Sequence, residues 1–317
     1  MITCLVAMAA LVGCSKSDDN GGGISISEGT FPKKIVHKAE NGNISYEITN
    51  NVQGEKVLST TSISYKRDGS MESKILISFS YEGDYPKEAT YKRSKTNGEN
   101  ENYTETYSFV DGKLKNTTLK HDTNPRATTT TTYSYHNDGK LAKVLVEKPR
   151  KSSLNGQIME DIYVTETDYT HTGNVITATE KRYFKDTQGN KRDENTSLTT
   201  YTYTFENENL IKETENSTEY NSTTEYTYDG KNNPLFQNFK KLMDPDYFND
   251  AKNSKNNILT RKITTKYNYN NSTIVKEYVY EHTYADNNYA LTEKVFDKTT
   301  ENGVEKKELD ETTEYAY

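Results

Sequence analysis

One pattern constrains this chain more than any other. Two aromatic residues spaced i, i+2 are followed by a turn holding Gly, Asp or Asn, and then by a short run that opens on an aliphatic residue. Tyr133-Ser134-Tyr135-His136-Asn137-Asp138-Gly139-Lys140-Leu141 is the clearest copy, and Tyr107-Ser108-Phe109-Val110-Asp111-Gly112-Lys113-Leu114 is another. Looser copies surround Tyr65, Tyr81, Tyr169, Tyr203, Tyr226, Tyr267 and Tyr315. Successive side chains on a strand point to opposite faces. In Thr200-Tyr201-Thr202-Tyr203-Thr204-Phe205 every aromatic therefore shares one face and every Thr the other. Asp-Gly between such runs is a strong hairpin signal, because both residues tolerate the positive φ of tight turns. Helical periodicity is nearly absent.

Composition sharpens this reading. Apolar residues make up only 32% of 317, and Tyr supplies 26 of them. A thick aliphatic core is ruled out. Tyr can replace it, since aromatic cross-strand pairs contribute about 0.2–1 kcal/mol each while the hydroxyl stays at water. The expected fold is all-β: an elongated, twisted antiparallel meander of degenerate hairpin repeats, curled enough to half-cover its Tyr face. Acidic and basic residues, 47 against 40, are finely mixed, giving a net charge of −7. No basic stripe marks a nucleic-acid partner.

The N-terminus is of another kind. Leu5 to Val12 is apolar but too short to span a bilayer. It ends in Leu11-Val12-Gly13-Cys14, which resembles the lipobox of bacterial lipoproteins. That resemblance implies removal of residues 1–13 as a signal peptide, lipid on Cys14, and membrane attachment through that lipid. Met1-Ile2-Thr3 departs from the usual pattern by lacking Lys or Arg. The remaining cysteine, Cys4, leaves with the signal, so no thiol is expected in the mature domain. Residues 14–30 read as a flexible tether, and Ser17-Asp18-Asp19 within it resembles the acidic export signal of Bacteroidota surface lipoproteins. The outer membrane, facing the medium, is the expected location.

The Tyr-x-Tyr, Asp-x-x-Gly and Lys-Leu elements resemble the RHS/YD repeat. They resemble more closely the repeat-bearing lipoproteins of Bacteroidota, whose mature part often opens on a strand like Phe31-Pro32-Lys33-Lys34-Ile35-Val36. The resemblance covers most of 31–317, read here as one domain, and implies strand–turn–strand architecture. The cage of full RHS proteins is not implied, because the chain is short and carries no toxin segment.

Residues 232–258 interrupt the repeats. Leu235, Phe236, Phe239, Leu242 and Met243 form a helical stripe, with Asn233 placed as N-cap and Pro234 at the first helical position. A short helix over 234–243 is expected, packed on one end or face of the sheet.

Catalytic constellations do not emerge. The five histidines are scattered, no Gly-x-Ser-x-Gly elbow or phosphate-cradling loop occurs, and the abundant carboxylates single out no pair. Asp244, Asp246, Asn249 and Asp250 lack the calcium-loop pattern. No metal and no cofactor is expected, and neither is an enzyme. The one functional candidate is the Tyr face, with Tyr201, Tyr203, Tyr226 and Tyr228 as candidate ligand-facing aromatics. Their plainer reading is the core of a thin sheet. The expected role is a surface scaffold for binding or adhesion, with glycan or an envelope or host protein as partner. The alternatives are an accessory subunit in polysaccharide capture and a periplasm-facing structural protein.

Overall fold

The computed structural model describes residues 31–53, 56–154, 157–236, 244–301 and 304–317. Cys14, Ser17, Asp18 and Asp19 lie outside the described residues. Eighteen strands follow one another along the chain. The first nine are β1 (Lys34–Ala39), β2 (Ile44–Gln53), β3 (Lys56–Tyr65), β4 (Met71–Glu82), β5 (Tyr85–Lys95), β6 (Asn100–Val110), β7 (Lys113–His121), β8 (Asn124–Tyr135) and β9 (Leu141–Leu154). The second nine are β10 (Gln157–Thr172), β11 (Val175–Asp186), β12 (Lys191–Glu206), β13 (Asn209–Asn216), β14 (Tyr220–Tyr228), β15 (Ile258–Tyr267), β16 (Thr273–Tyr284), β17 (Ala290–Glu301) and β18 (Val304–Ala316).

Each strand pairs antiparallel with the next, and β1 also pairs with β18, Ile35 opposite Tyr315 and His37 opposite Thr313. The sheet is therefore a closed up-and-down barrel, not the elongated meander expected above. Closure has a physical reason: a curled sheet with an aromatic face still exposes two unpaired edges, and pairing the first strand with the last removes both.

The insertion shows which face is inner. Phe248 meets Tyr169, Tyr203 and Phe205 on β10 and β12. Lys252, in the same segment, lies within electrostatic range of Glu293 and Glu311 on β17 and β18. The segment thus spans the interior. The buried cluster of Val57, Ile77, Tyr107, Leu114, Tyr133 and Leu210 lies on this inner face.

The repeat has a mechanical meaning. At the end of β4, β6, β8, β12, β14 and β16 the register slips just before the second aromatic of the motif. A bulge there bends the strand and re-aims the ring. The freed hydroxyl then reaches the first turn of the preceding strand. Tyr81 donates to the Val57 carbonyl at 2.8 Å, Tyr135 to Leu114 at 2.7 Å, and Tyr228 to Leu210 at 2.5 Å. Tyr317 donates to Ala290 at 2.8 Å. His171 and His282 take the same place, with Nε2 at 2.7 Å from the Leu141 carbonyl and 2.8 Å from that of Ile258. The aliphatic residue at the start of β3, β7, β9, β13, β15 and β17 is buried beneath. Each hairpin is clasped to the one before it, at the barrel end that also carries the termini. The Asp111–Gly112 turn has φ of 50° and 73°, as a two-residue hairpin of this hand requires.

The outer face is mostly polar, with a local apolar row of Val279, Phe296 and Leu309 across β16 to β18. A row across β10 to β16 reads Thr170, Thr177, Thr202, Thr214, Thr223 and Thr264 before reaching Val275. Elsewhere ion pairs lace it. Lys143 bridges Glu166 at 2.5 Å and Asp168 at 3.1 Å, Lys34 meets Glu47 at 2.8 Å, and Lys185 pairs with Glu147. A membrane-spanning barrel turns a continuous apolar band outward; here threonine, lysine and glutamate interrupt the outward Val275, Val279, Phe296 and Leu309.

The expected helix over 234–243 falls largely on residues 237–243, outside the described residues. Asn233 still behaves as a cap, its Oδ1 accepting from the Leu235 amide at 2.9 Å. Pro234–Phe236 form a turn, and 247–249 and 251–253 form two short 3₁₀ turns. No α-helix occurs among the described residues.

Candidate functional site

Barrels of 16–18 strands are wide enough to hold an aqueous lumen. Here the lumen is filled unevenly. At the end bearing the termini the insertion forms a floor, held by buried asparagine. Asn233 Nδ2 donates to the carbonyls of Lys252 and Ser254, both at 2.7 Å, and Ser254 Oγ bonds the Tyr228 hydroxyl at 3.0 Å. Towards the other end inward side chains stay wet. Arg182 faces inward on β11, beside Glu180 at 2.7 Å, and its side chain is 47% exposed.

All four candidate tyrosines point into this lumen, but they divide. Tyr203 is buried against Phe248, ring centroids 6.0 Å apart. Tyr228 spends its hydroxyl on Leu210 and Ser254. Tyr203 belongs to the buried cluster, and Tyr228 packs against it. Tyr201 and Tyr226 are half-buried and pack against the margin of the core cluster. Tyr201 stacks on Tyr203 at 6.2 Å with ring planes 9° apart. Tyr220 and Tyr267, which were not among the candidate ligand-facing aromatics, continue the row at 6.3 Å, and Tyr269 follows at 5.6 Å on the rim, 77% exposed.

Carboxylates stand between these rings. Glu215 lies opposite Tyr201 in register and accepts from the Tyr220 hydroxyl at 2.7 Å. That bond, with burial second, pushes the Tyr220 phenol up to about 12. Glu213, opposite Tyr203, is pushed up to about 7, by burial first and then by the nearby charges of Glu215 and Asp250. On the floor, burial and its neighbour Asp246 hold Asp244 well above the usual carboxylate range, and Asp246 accepts from Tyr169 at 3.3 Å.

The opposite wall gathers residues remote in sequence. Glu311 and Thr313 both reach Nδ1 of His37, at 2.8 and 3.0 Å. A relay from acid to base to nucleophile needs the two different ring nitrogens, so this trio is not a hydrolytic triad. The His37 bond holds Glu311 low, whereas burial holds Glu293 high. The His282 side chain is 1% exposed, with Nδ1 3.9 Å from Glu293, so it is an interior residue. Among the described residues no group of three or more His, Cys, Asp or Glu is placed to hold a metal ion.

No model of a known protein family matches the chain, and no curated protein does. Among solved structures, the chain is similar to a porin-like protein from Bacteroides vulgatus ATCC 8482. Identity is 14%, 90% of this chain and 98% of that one are covered, and the TM-score is 0.36. A porin-like protein from Bacteroides uniformis ATCC 8492 gives 13%, 92%, 99% and 0.31. Superposition this loose carries no functional meaning for the present chain.

Proposed function

We propose that the chain is a non-enzymatic lipoprotein of the outer membrane, anchored through Cys14 and exposed at the cell surface, where its water-soluble barrel acts as a scaffold for binding or adhesion. The observation that carries this reading is the outer face. A row of threonine crosses β10 to β15, Lys–Glu pairs lie outward on other strands, and the outward Val279, Phe296 and Leu309 stop at Thr260, so lipid is offered no continuous apolar band. A barrel of this kind needs a separate anchor, and the lipobox-like Leu11-Val12-Gly13-Cys14 is suited to be one. The Ser17-Asp18-Asp19 tether supports display on the outer leaflet. The glycan-binding alternative draws support from the half-open tyrosines of the lumen.

Two experiments test it. Protease applied to intact cells should digest the protein while a periplasmic control survives. Survival until the outer membrane is broken would favour a periplasm-facing structural role instead. The Cys14→Ser variant should appear in the soluble fraction. If it stays membrane-integrated through an alkaline wash, the barrel itself is embedded and the reading is overturned.

A further inference from the structure

The geometry points to a dead-ended glycan-binding track inside the barrel: the rings from Tyr269 through Tyr267, Tyr220 and Tyr201 to Tyr203, with Glu215 and Arg182 beside them, form a site for a neutral, linear oligosaccharide entering from the open end. This rests on the proposed role as a tethered binding barrel and names its site and ligand class.

Three features carry the inference. The first is continuity. Ring centroids are 5.6 Å apart for Tyr269 and Tyr267, 6.3 Å for Tyr267 and Tyr220, and 6.2 Å for Tyr201 and Tyr203. The single break, between Tyr220 and Tyr201, is bridged by Glu215, which stands opposite Tyr201 and holds the Tyr220 hydroxyl. The second is access. Tyr269 is 77% exposed at the rim, Ile274 near it is 46% exposed, and the inward Arg182 retains 47%. A core of tyrosine would leave no such gradient, running from open at the rim to buried at Phe248. The third is charge. The polar groups along the track are already matched within the wall: Arg182 by Glu180 at 2.7 Å, and Glu215 by Tyr220 at 2.7 Å. Each keeps spare donor or acceptor capacity, and along the track carboxylates outnumber the one guanidinium.

A pyranose chain fits these features together. Its C–H faces stack on aromatic rings, and its hydroxyls both donate to carboxylates and accept from a guanidinium. Other ligand classes fit worse. An anionic polymer would meet Glu213, Glu215 and Glu180. An apolar peptide would leave these groups desolvated and unmatched, at a cost that buried polar groups carry whenever they lack partners. The floor formed by the insertion makes the track blind, so the lumen would hold a chain end and would not conduct one.

The test uses the full lipidated protein in detergent, titrated calorimetrically with cellohexaose, xylohexaose, maltohexaose and linear arabinohexaose, and with oligogalacturonate as the anionic comparison. At least one neutral oligosaccharide should bind, with affinity rising with chain length and then levelling once the track is filled. Tyr201→Ala and Tyr269→Ala should each weaken it by about tenfold or more, the usual cost of losing a stacking aromatic. Tyr269 is exposed at the rim, so its variant folds regardless. Thr202→Ala, on the outer girdle, should change nothing. The proposal is overturned if none of the neutral oligosaccharides binds, if only the anionic one does, or if binding ignores both tyrosines. A different ligand lost on Tyr201→Ala would overturn the ligand class while leaving the tethered binding barrel standing. Failure of the cell-shaving and Cys14→Ser experiments would remove that reading itself.

Discussion

Replacing Glu213 by Gln should stabilise the barrel, and only at high pH. In the folded chain Glu213 holds its proton until about 7, against an ordinary value of 4.5, because burial beside Tyr203 and Tyr226 penalises the charge and Glu215 and Asp250 add to the penalty. The unfolded chain releases that proton through pH 4.5. Between the two values the unfolded state has ionised and the folded state has not, so stability falls as pH rises; above about 7 the loss is complete. The gap corresponds to about 3 kcal/mol, a sizeable share of the roughly 5–15 kcal/mol of a typical domain. Below pH 4 both states are protonated and the group contributes nothing. Glu213→Gln keeps the shape and the amide can still bond Tyr226, but it has no charge to bury. Urea midpoints at pH 4, 6 and 8.5 should show the variant gaining on the parent progressively, by up to about 3 kcal/mol at the highest pH. Asp244 and Glu293 are also held high by burial. They are present in both proteins and cancel in the difference if they act independently. A difference between variant and parent that stays flat with pH would refute the buried, charge-crowded environment assigned to Glu213.

Four further variants probe the clasps and the floor. Leu114→Ala empties a site only 1% exposed and should cost about 2–5 kcal/mol in chemical denaturation, whereas Tyr135→Phe, which removes only the bond to the Leu114 carbonyl, should cost about 1 kcal/mol. Gly112→Ala should lose about 1–2 kcal/mol by the same assay, because φ is +73° and the new Cβ would sit 3.1 Å from the Tyr85 hydroxyl. Asn233→Ala releases two carbonyls and one amide that its side chain now satisfies. Limited proteolysis should then cut within 232–258 faster than in the parent, while the rest of the barrel keeps its resistance.

Local and long-range information separate cleanly in this chain. The strands were legible because alternation and turn chemistry are local: Asp111-Gly112 and the Thr200–Phe205 alternation each specify geometry over a few residues. Closure was not. Nothing in Lys34–Ala39 names Glu311–Ala316 as its partner, and the bond from Lys38 to Glu314 crosses almost the whole sequence. The bulges were equally silent, since an offset before Tyr135 or Tyr228 leaves no mark beyond the repeat itself. The site divides along the same line. Alternation placed Tyr201 and Tyr203 together on one face, and they do share it. Which of them stays open depends on where Phe248 arrives, and that is decided by the floor and not by either strand. The row from Tyr201 to Tyr269 and the meeting of His37 with Glu311 exist only once distant strands are brought into register. A repeat that writes the same hairpin many times therefore fixes the wall of the barrel, while its chemistry comes from the one segment that breaks the repeat and from the closure that the repeat does not encode.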